Sequence, residues 1–147
     1  MNLETVQQLR EATGAGVMEC KKALVDAGGD FEKAVELIHE RGISRFEKRS
    51  GREAGAGLIH AYTHNERIGV LVDLRAETDF VVRSDPFREL AHELAMQIAA
   101  MNPETVEELL AQPSIRDVNK KIEDVIKEVS AKVGENVKIN AFSRLWA

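Results

Sequence analysis

The chain has 147 residues, room for one compact domain and a small satellite, and at this length about 70% of the unfolded surface is buried without staples. Its 44% apolar and 31% charged content is that of a soluble globular protein, and a net charge of −5 argues against broad binding to nucleic-acid phosphates. One cysteine, Cys20, excludes an intrachain disulfide framework; with no apolar run near the length of a membrane span and no signal-peptide pattern, the expected compartment is the cytoplasm.

Residues 3–41 read as three short helices. Leu3, Val6 and Leu9 give the first an apolar side, and the glycines of "TGAG" (13–16) end it. The second runs from about Val17 to Ala27, with Cys20, Ala23, Leu24 and Ala27 at helical spacing, and Gly28-Gly29 stops it. Asp30 is placed to cap the third, in which Phe31, Ala34, Val35 and Ile38 repeat at i, i+3, i+4, i+7, and Gly42 is expected as its C-terminal cap. A three-helix (UBA-like) bundle this small is marginal alone, which suits a docking module. Arg41, Arg45, Lys48, Arg49 and Arg52 then follow the spacing of one helical face, interrupted in sequence by Glu47, and read either as a solvated face or as a binding stripe. The following "GREAGAG" (51–57) has no Gly-Lys-Ser/Thr and forms no phosphate loop, so its small residues mark a connector and a close crossing.

From Leu58 the period changes to two. Leu58–Tyr62 and Ile68–Leu74 predict strands joined through "THNE" as a hairpin. Asp85 and Pro86 mark a helix start, Phe87, Leu90, Ala91, Leu94, Ala95 and Ile98 trace its apolar face, and Asn102-Pro103 ends it. A short helix near Thr105–Leu110 is followed by a long one over about Asp117–Val133, capped by Gly134. Val137, Ile139 and Ala141 then alternate with Lys138, Asn140 and Phe142 as a third strand. The expected fold is α+β: an N-terminal helical docking domain with a basic connector helix over 1–50, then a core over 51–147 with a small antiparallel sheet packed with helices.

No constellation for covalent chemistry stands out. His60 and His64 share a strand face, but no carboxylate or cysteine completes a metal set at recognisable spacing, so no metal and no cofactor are expected. Cys20 sits among apolar neighbours as a packing residue, and no serine lies in a nucleophile-elbow pattern. The chain therefore reads as a binding protein and not an enzyme. What remains unexplained is "ETDFVVRSDPF" (77–87), which sets Asp79 beside Phe80 where a strand has ended and a helix has not begun. Phe80 could plug the core with Asp79 capping a turn, or the pair could protrude.

"LREATGAGVMECKKAL" (9–24) and "ETDFV" (77–81), in this order, together with "GDFEKAVE", "RIGVLV", the Asp-Pro-Phe helix start and "KVGENV", resemble the bacterial-type elongation factor Ts family over nearly the whole chain. Two departures stand beside the second motif: Arg75-Ala76 replaces an Asn followed by Cys or Ser, and Val82 replaces a small residue. The resemblance implies a nucleotide-exchange factor for the GTPase elongation factor Tu, with Thr78, Asp79, Phe80 and Val81 as a wedge beside the partner's nucleotide site that disturbs its Mg²⁺ and phosphate contacts. It implies that Val17, Met18 and Lys21 dock on the GTPase, that Arg49 is a basic contact, and that His64 and the backbone-approach glycine Gly134 are weaker contacts.

Three rival readings make different predictions. An RNA-binding protein would use the basic stripe and bind in a salt-sensitive way. A helical adaptor would bind peptides through the bundle and leave Asp79-Phe80 without a role. A small hydrolase lacks its catalytic set. Finally, longer family members carry two related cores, whereas this chain encodes one. Three strands with helices on one face leave the other uncovered, and "VKINAF" has Val137, Ile139 and Ala141 on one side with Phe142 on the other, as in a strand buried on both faces; a homodimer is expected. No direct nucleic-acid or membrane partner is expected.

Overall fold

The computed structural model describes residues 2–147, and the chain divides into two compact units, one ending at Glu47 and the other starting at Lys48. The fold is α+β, with helices and one three-stranded antiparallel sheet. In the first unit, α1 (Leu3–Thr13) starts at Asn2, whose side chain accepts from the Glu4 amide, and stops at Gly14 in the left-handed region. Then α2 (Val17–Asp26) and α3 (Phe31–Ser50) follow, the latter opened by Asp30, which accepts from the Lys33 amide. Val6, Leu9, Cys20, Ala23, Leu24, Ala34 and Ile38 form the core between the three helices.

Gly42 does not cap the third helix. The helix continues through it to Ser50, so the basic stripe is its second half. Mid-helix glycine costs about 1 kcal/mol relative to alanine. Opposing that cost, Arg41 pairs with Asp26 and Arg45 Nη1 lies 2.8 Å from the Glu19 carboxylate, holding α3 to α2 on both sides of Gly42. Two members of the stripe are thus neutralised inside the bundle.

In the second unit, β1 (Ala56–His64) and β2 (Ile68–Ala76) form the expected hairpin, tipped by Asn65 and Glu66 in the left-handed region. A short helix, α4 (Asp79–Val82), separates β2 from α5 (Asp85–Met101). Beyond it come α6 (Val106–Ala111), α7 (Ile122–Val133) and β3 (Lys138–Trp146), which pairs with the far side of β2. One sheet face, through Val70, Val72, Leu74 and Ile139, packs on Phe87, Leu90, Leu94 and Ile98 of α5 and on Ile122, Val125 and Ile126 of α7.

Two boundaries and one side-chain face differ from the sequence expectation, each for a local reason. Ser84, not Asp85, is the N-cap of α5, because the turn of α4 ends there and the Ser84 hydroxyl donates to the Val81 carbonyl at 2.6 Å. The long helix starts at Ile122 and not near Asp117. Its expected first turns form a loop latched by the fully buried Gln97, which accepts from the Ile115 amide and donates to the Pro113 carbonyl. The third strand is not apolar on two sides. Asp73 pairs with Ala141 but Leu74 pairs with Ile139, so Asn140 is an extra residue. That bulge shifts the alternation by one, and Ile139 and Phe142 both turn to the same core while Ala141 faces out.

The outer sheet face carries Ile59, Leu71 and Leu145, exposed by 62%, 49% and 78%. It also shows what Arg75 does. Its guanidinium makes two bonds to Asp73, at 2.6 and 3.0 Å, while Asn140 donates to the same carboxylate. The Arg75 side chain crosses Gly57 so closely that a Cβ there would lie 2.5 Å from it and 2.7 Å from the Leu74 carbonyl. This is the crossing that the small residues of "GREAGAG" predicted.

Candidate functional site

The Asp79-Phe80 junction is a helical turn and not a strand end. Thr78 has extended backbone and is the N-cap of α4, its hydroxyl accepting from the Val81 amide. Val81 and Val82 turn inward and are buried in the core, which fixes the opposite side of the turn outward. Phe80 is accordingly 86% exposed, and Thr78 and Asp79 are exposed beside it. Phe80 contributes nothing to the core. Of the four residues implied for the wedge, three face solvent and Val81 is their anchor.

A four-residue helix has almost no stability of its own. This one is fastened by two segments far away in sequence. The Glu135 carboxylate accepts from the Thr78 amide at 3.0 Å and from the Thr78 hydroxyl at 2.7 Å. In return the Glu77 carboxylate accepts from the Asn136 amide at 2.7 Å and lies 3.6 Å from Arg52. Asn136 is buried, and its side-chain amide donates to the carbonyls of Arg52 and Ser50. The Glu135 carbonyl accepts from Ser130 on α7. Glu77, Glu135 and Asn136 were not singled out by sequence reasoning; a pairing 57 residues apart has no local pattern to betray it.

Gly134, just before them, ends α7 at φ +74°, and nothing in the chain lies within 4 Å of where its Cβ would be. The backbone conformation alone accounts for a glycine there. His64 stands at the hairpin tip, its Nδ1 2.9 Å from the Tyr62 hydroxyl. The other end of that hairpin, where Ala56 pairs with Ala76, leads into the turn. At about 3.4 Å per residue the two ends are roughly 27 Å apart, so His64 and Phe80 do not share a site.

On the first unit, Val17 and Met18 open α2, where the N-cap Gly16 makes no side-chain hydrogen bond. Met18 is 76% exposed and does not pack within the bundle; Val17 is exposed too, and Lys21, one turn on, is half-buried. Arg49 is half-buried near the end of α3.

Among the described residues no group of three or more His, Cys, Asp or Glu could hold a metal ion, and no helix is long and apolar enough to cross a membrane. His60 and His92 form a contact of their own, Nε2 to Nδ1 at 3.2 Å, away from the turn on β1 and α5. Burial first, and His92 second, hold His60 below its ordinary pKa.

A family model described as elongation factor Ts matches residues 3–106 and 77–147, so the stretch holding the turn is matched twice. The chain is 44% identical to an elongation factor Ts of Coprothermobacter proteolyticus, with 95% of this chain and 94% of that one covered. Identity to an elongation factor Ts of Thermodesulfovibrio yellowstonii is 38% (96% and 93% covered), and to one of Thermotoga petrophila 39% (98% and 94%). These alignments span 185 to 188 positions, more than the 147 residues here, so the relatives carry internal residues that this chain lacks. The match runs through both units and both motifs, and the chain belongs to the elongation factor Ts family.

Proposed function

We propose that this protein is a nucleotide-exchange factor that speeds GDP release from the GTPase elongation factor Tu in the cytoplasm, by binding and without covalent chemistry of its own. The observation that carries the reading is the exposed Asp79-Phe80 pair on a turn held down at Thr78 and Val81. An exchange factor has to bind its nucleotide-free partner better than the nucleotide-bound one, and by reciprocity it loosens GDP by the same factor. An aromatic ring driven between packed elements opposes their closure, and a carboxylate beside it disfavours the arrangement that completes Mg²⁺ and phosphate coordination. Residues 1–50 dock through Val17, Met18 and Lys21, with Arg49 as a basic contact; residues 51–147 carry the wedge. His64 and Gly134 are peripheral contacts in this reading. Pairing of Arg41 and Arg45 with acidic residues favours a protein partner over RNA.

The test is release of a fluorescent GDP from elongation factor Tu, with and without this protein. Acceleration that saturates with concentration is the expected result, and an unchanged release rate rejects the function.

The proposal includes a homodimer, on different grounds from the strand pattern. Ile59, Leu71 and Leu145 lie on a sheet face that no helix among the described residues covers, and a two-fold copy would bury it isologously. Cys20 is buried in the bundle, so no disulfide would hold the pair. Sedimentation over a wide concentration range should show the mass double; a monomer throughout, with full exchange activity, would sink the dimer.

A further inference from the structure

We infer that Glu135, assisted by Asn136, is a positioning residue for the exchange wedge, so that the turn after α7 sets how fast GDP leaves the partner; this rests on the exchange reading above. The geometry is a reciprocal clasp. Glu135 takes the amide of Thr78, and Glu77, the residue before Thr78, takes the amide of Asn136, the residue after Glu135. Each segment thus supplies both a carboxylate and a backbone donor to the other, and the Thr78 hydroxyl adds a third charge-assisted bond at 2.7 Å. Behind the clasp, Ser130 ties it to α7, and the buried Asn136 amide ties it to the carbonyls of residues 50 and 52.

The load on this turn explains the arrangement. A ring that pushes into a partner is pushed back, and α4 has too few hydrogen bonds of its own to resist. Val81 and Val82 stop it sliding outward, but apolar contacts are non-directional and leave the turn free to rotate about them. The Glu135 carboxylate removes that freedom, because it grips the residue immediately ahead of Asp79 at two points, its backbone amide and its hydroxyl. Thr78 is exposed and Glu135 half-buried, so the two bonds that grip Thr78 lie at the surface, outside the apolar core.

The experiment measures stimulated release of fluorescent GDP from elongation factor Tu against concentration of the full-length protein, for Glu135→Ala, Glu135→Gln, Thr78→Val and the Thr78→Val/Glu135→Ala pair. Asp79→Ala/Phe80→Ala is the reference for the wedge itself. Glu135→Ala removes both charge-assisted bonds to Thr78 and is expected to lower the maximal rate at least about tenfold, with the half-saturating concentration unchanged. Glu135→Gln keeps an oxygen for the Thr78 amide and should recover most of the rate, and the double variant should be no slower than the slower single. A merely structural role would lower thermal stability or weaken half-saturation instead, and that pattern overturns the inference. A full maximal rate in Glu135→Ala while the Asp79/Phe80 reference is slow also overturns it, and leaves the exchange reading standing. A full rate in the reference rejects the wedge and the clasp together. Should Glu135→Ala fold poorly, Thr78→Val decides, because it removes the hydroxyl bond to Glu135: an unchanged maximal rate in it overturns the proposal.

Discussion

The helix starts at α2 and α4 both hold out an apolar side chain to solvent, and they are built differently. At α2, Met18 is exposed behind Gly16, which offers no side-chain cap. At α4, Phe80 is exposed behind Thr78, which caps the turn and is gripped by Glu135 from 57 residues away. A capping side chain is worth about 1 kcal/mol, and a hydrogen bond to a charged group about 1.5–3 kcal/mol. A docking surface can settle onto its partner and still bind. A wedge that yields does no work, because whatever strain it imposes relaxes into its own backbone. In the proposed function, this difference in bracing suits docking at the first and force at the second.

The comparison can be broken most directly at the wedge. Asp79→Ala with Phe80→Ala should slow stimulated GDP release about 100-fold, as expected when a central aromatic anchor is lost. Because neither side chain is buried, the melting temperature should stay where it was; a large drop would return Phe80 to the core.

Gly57→Ala serves as the contrasting case, since it injures the sheet and alters no residue of either helix start. A Cβ meeting the Leu74 carbonyl at 2.7 Å forces the backbone to move, and overpacking of this kind costs about 1–3 kcal/mol. Denaturant titration should register that loss while exchange below the melting range is unaltered. If exchange falls as well, the bracing of the turn extends through the sheet.

At the docking surface, Met18→Asp should weaken partner binding about tenfold, one ordinary interface contact, and leave the maximal release rate alone. A lower maximal rate at saturation would erase the distinction between the two starts.

The smallest effect concerns His60 and His92, which belong to neither helix start. The folded protein holds His60 below 6.5, so the unfolded chain takes up a proton first as pH falls. Stability is therefore undiminished above about pH 6.5 and declines from there down to the lowered folded value. Removing His92 should lift the His60 midpoint, read by NMR of its ring protons, and make the acid decline shallower. An unmoved midpoint would leave burial as the only cause.

Helical spacing in 3–38, the period of two from Leu58, and the capping glycines 14 and 134 determined most elements without help, because each is a pattern within a few residues. Val17, Met18, Asp79 and Phe80 were singled out through motif resemblance, which implied that they stand out from the surface, and all four are exposed. Tertiary structure decided the rest. The continuation of α3 past Gly42 depended on carboxylates at Asp26 and Glu19, and the late start of α7 on the buried Gln97. The face of Phe142 was settled by one extra residue in β3, since a single bulge inverts every side chain beyond it. Whether Phe80 plugged a core or stood out from it turned on Val81 filling that space and on Glu135 reaching Thr78. Local periodicity registers which side chains share a face; it holds no information about which distant carboxylate will arrive to hold a turn in place.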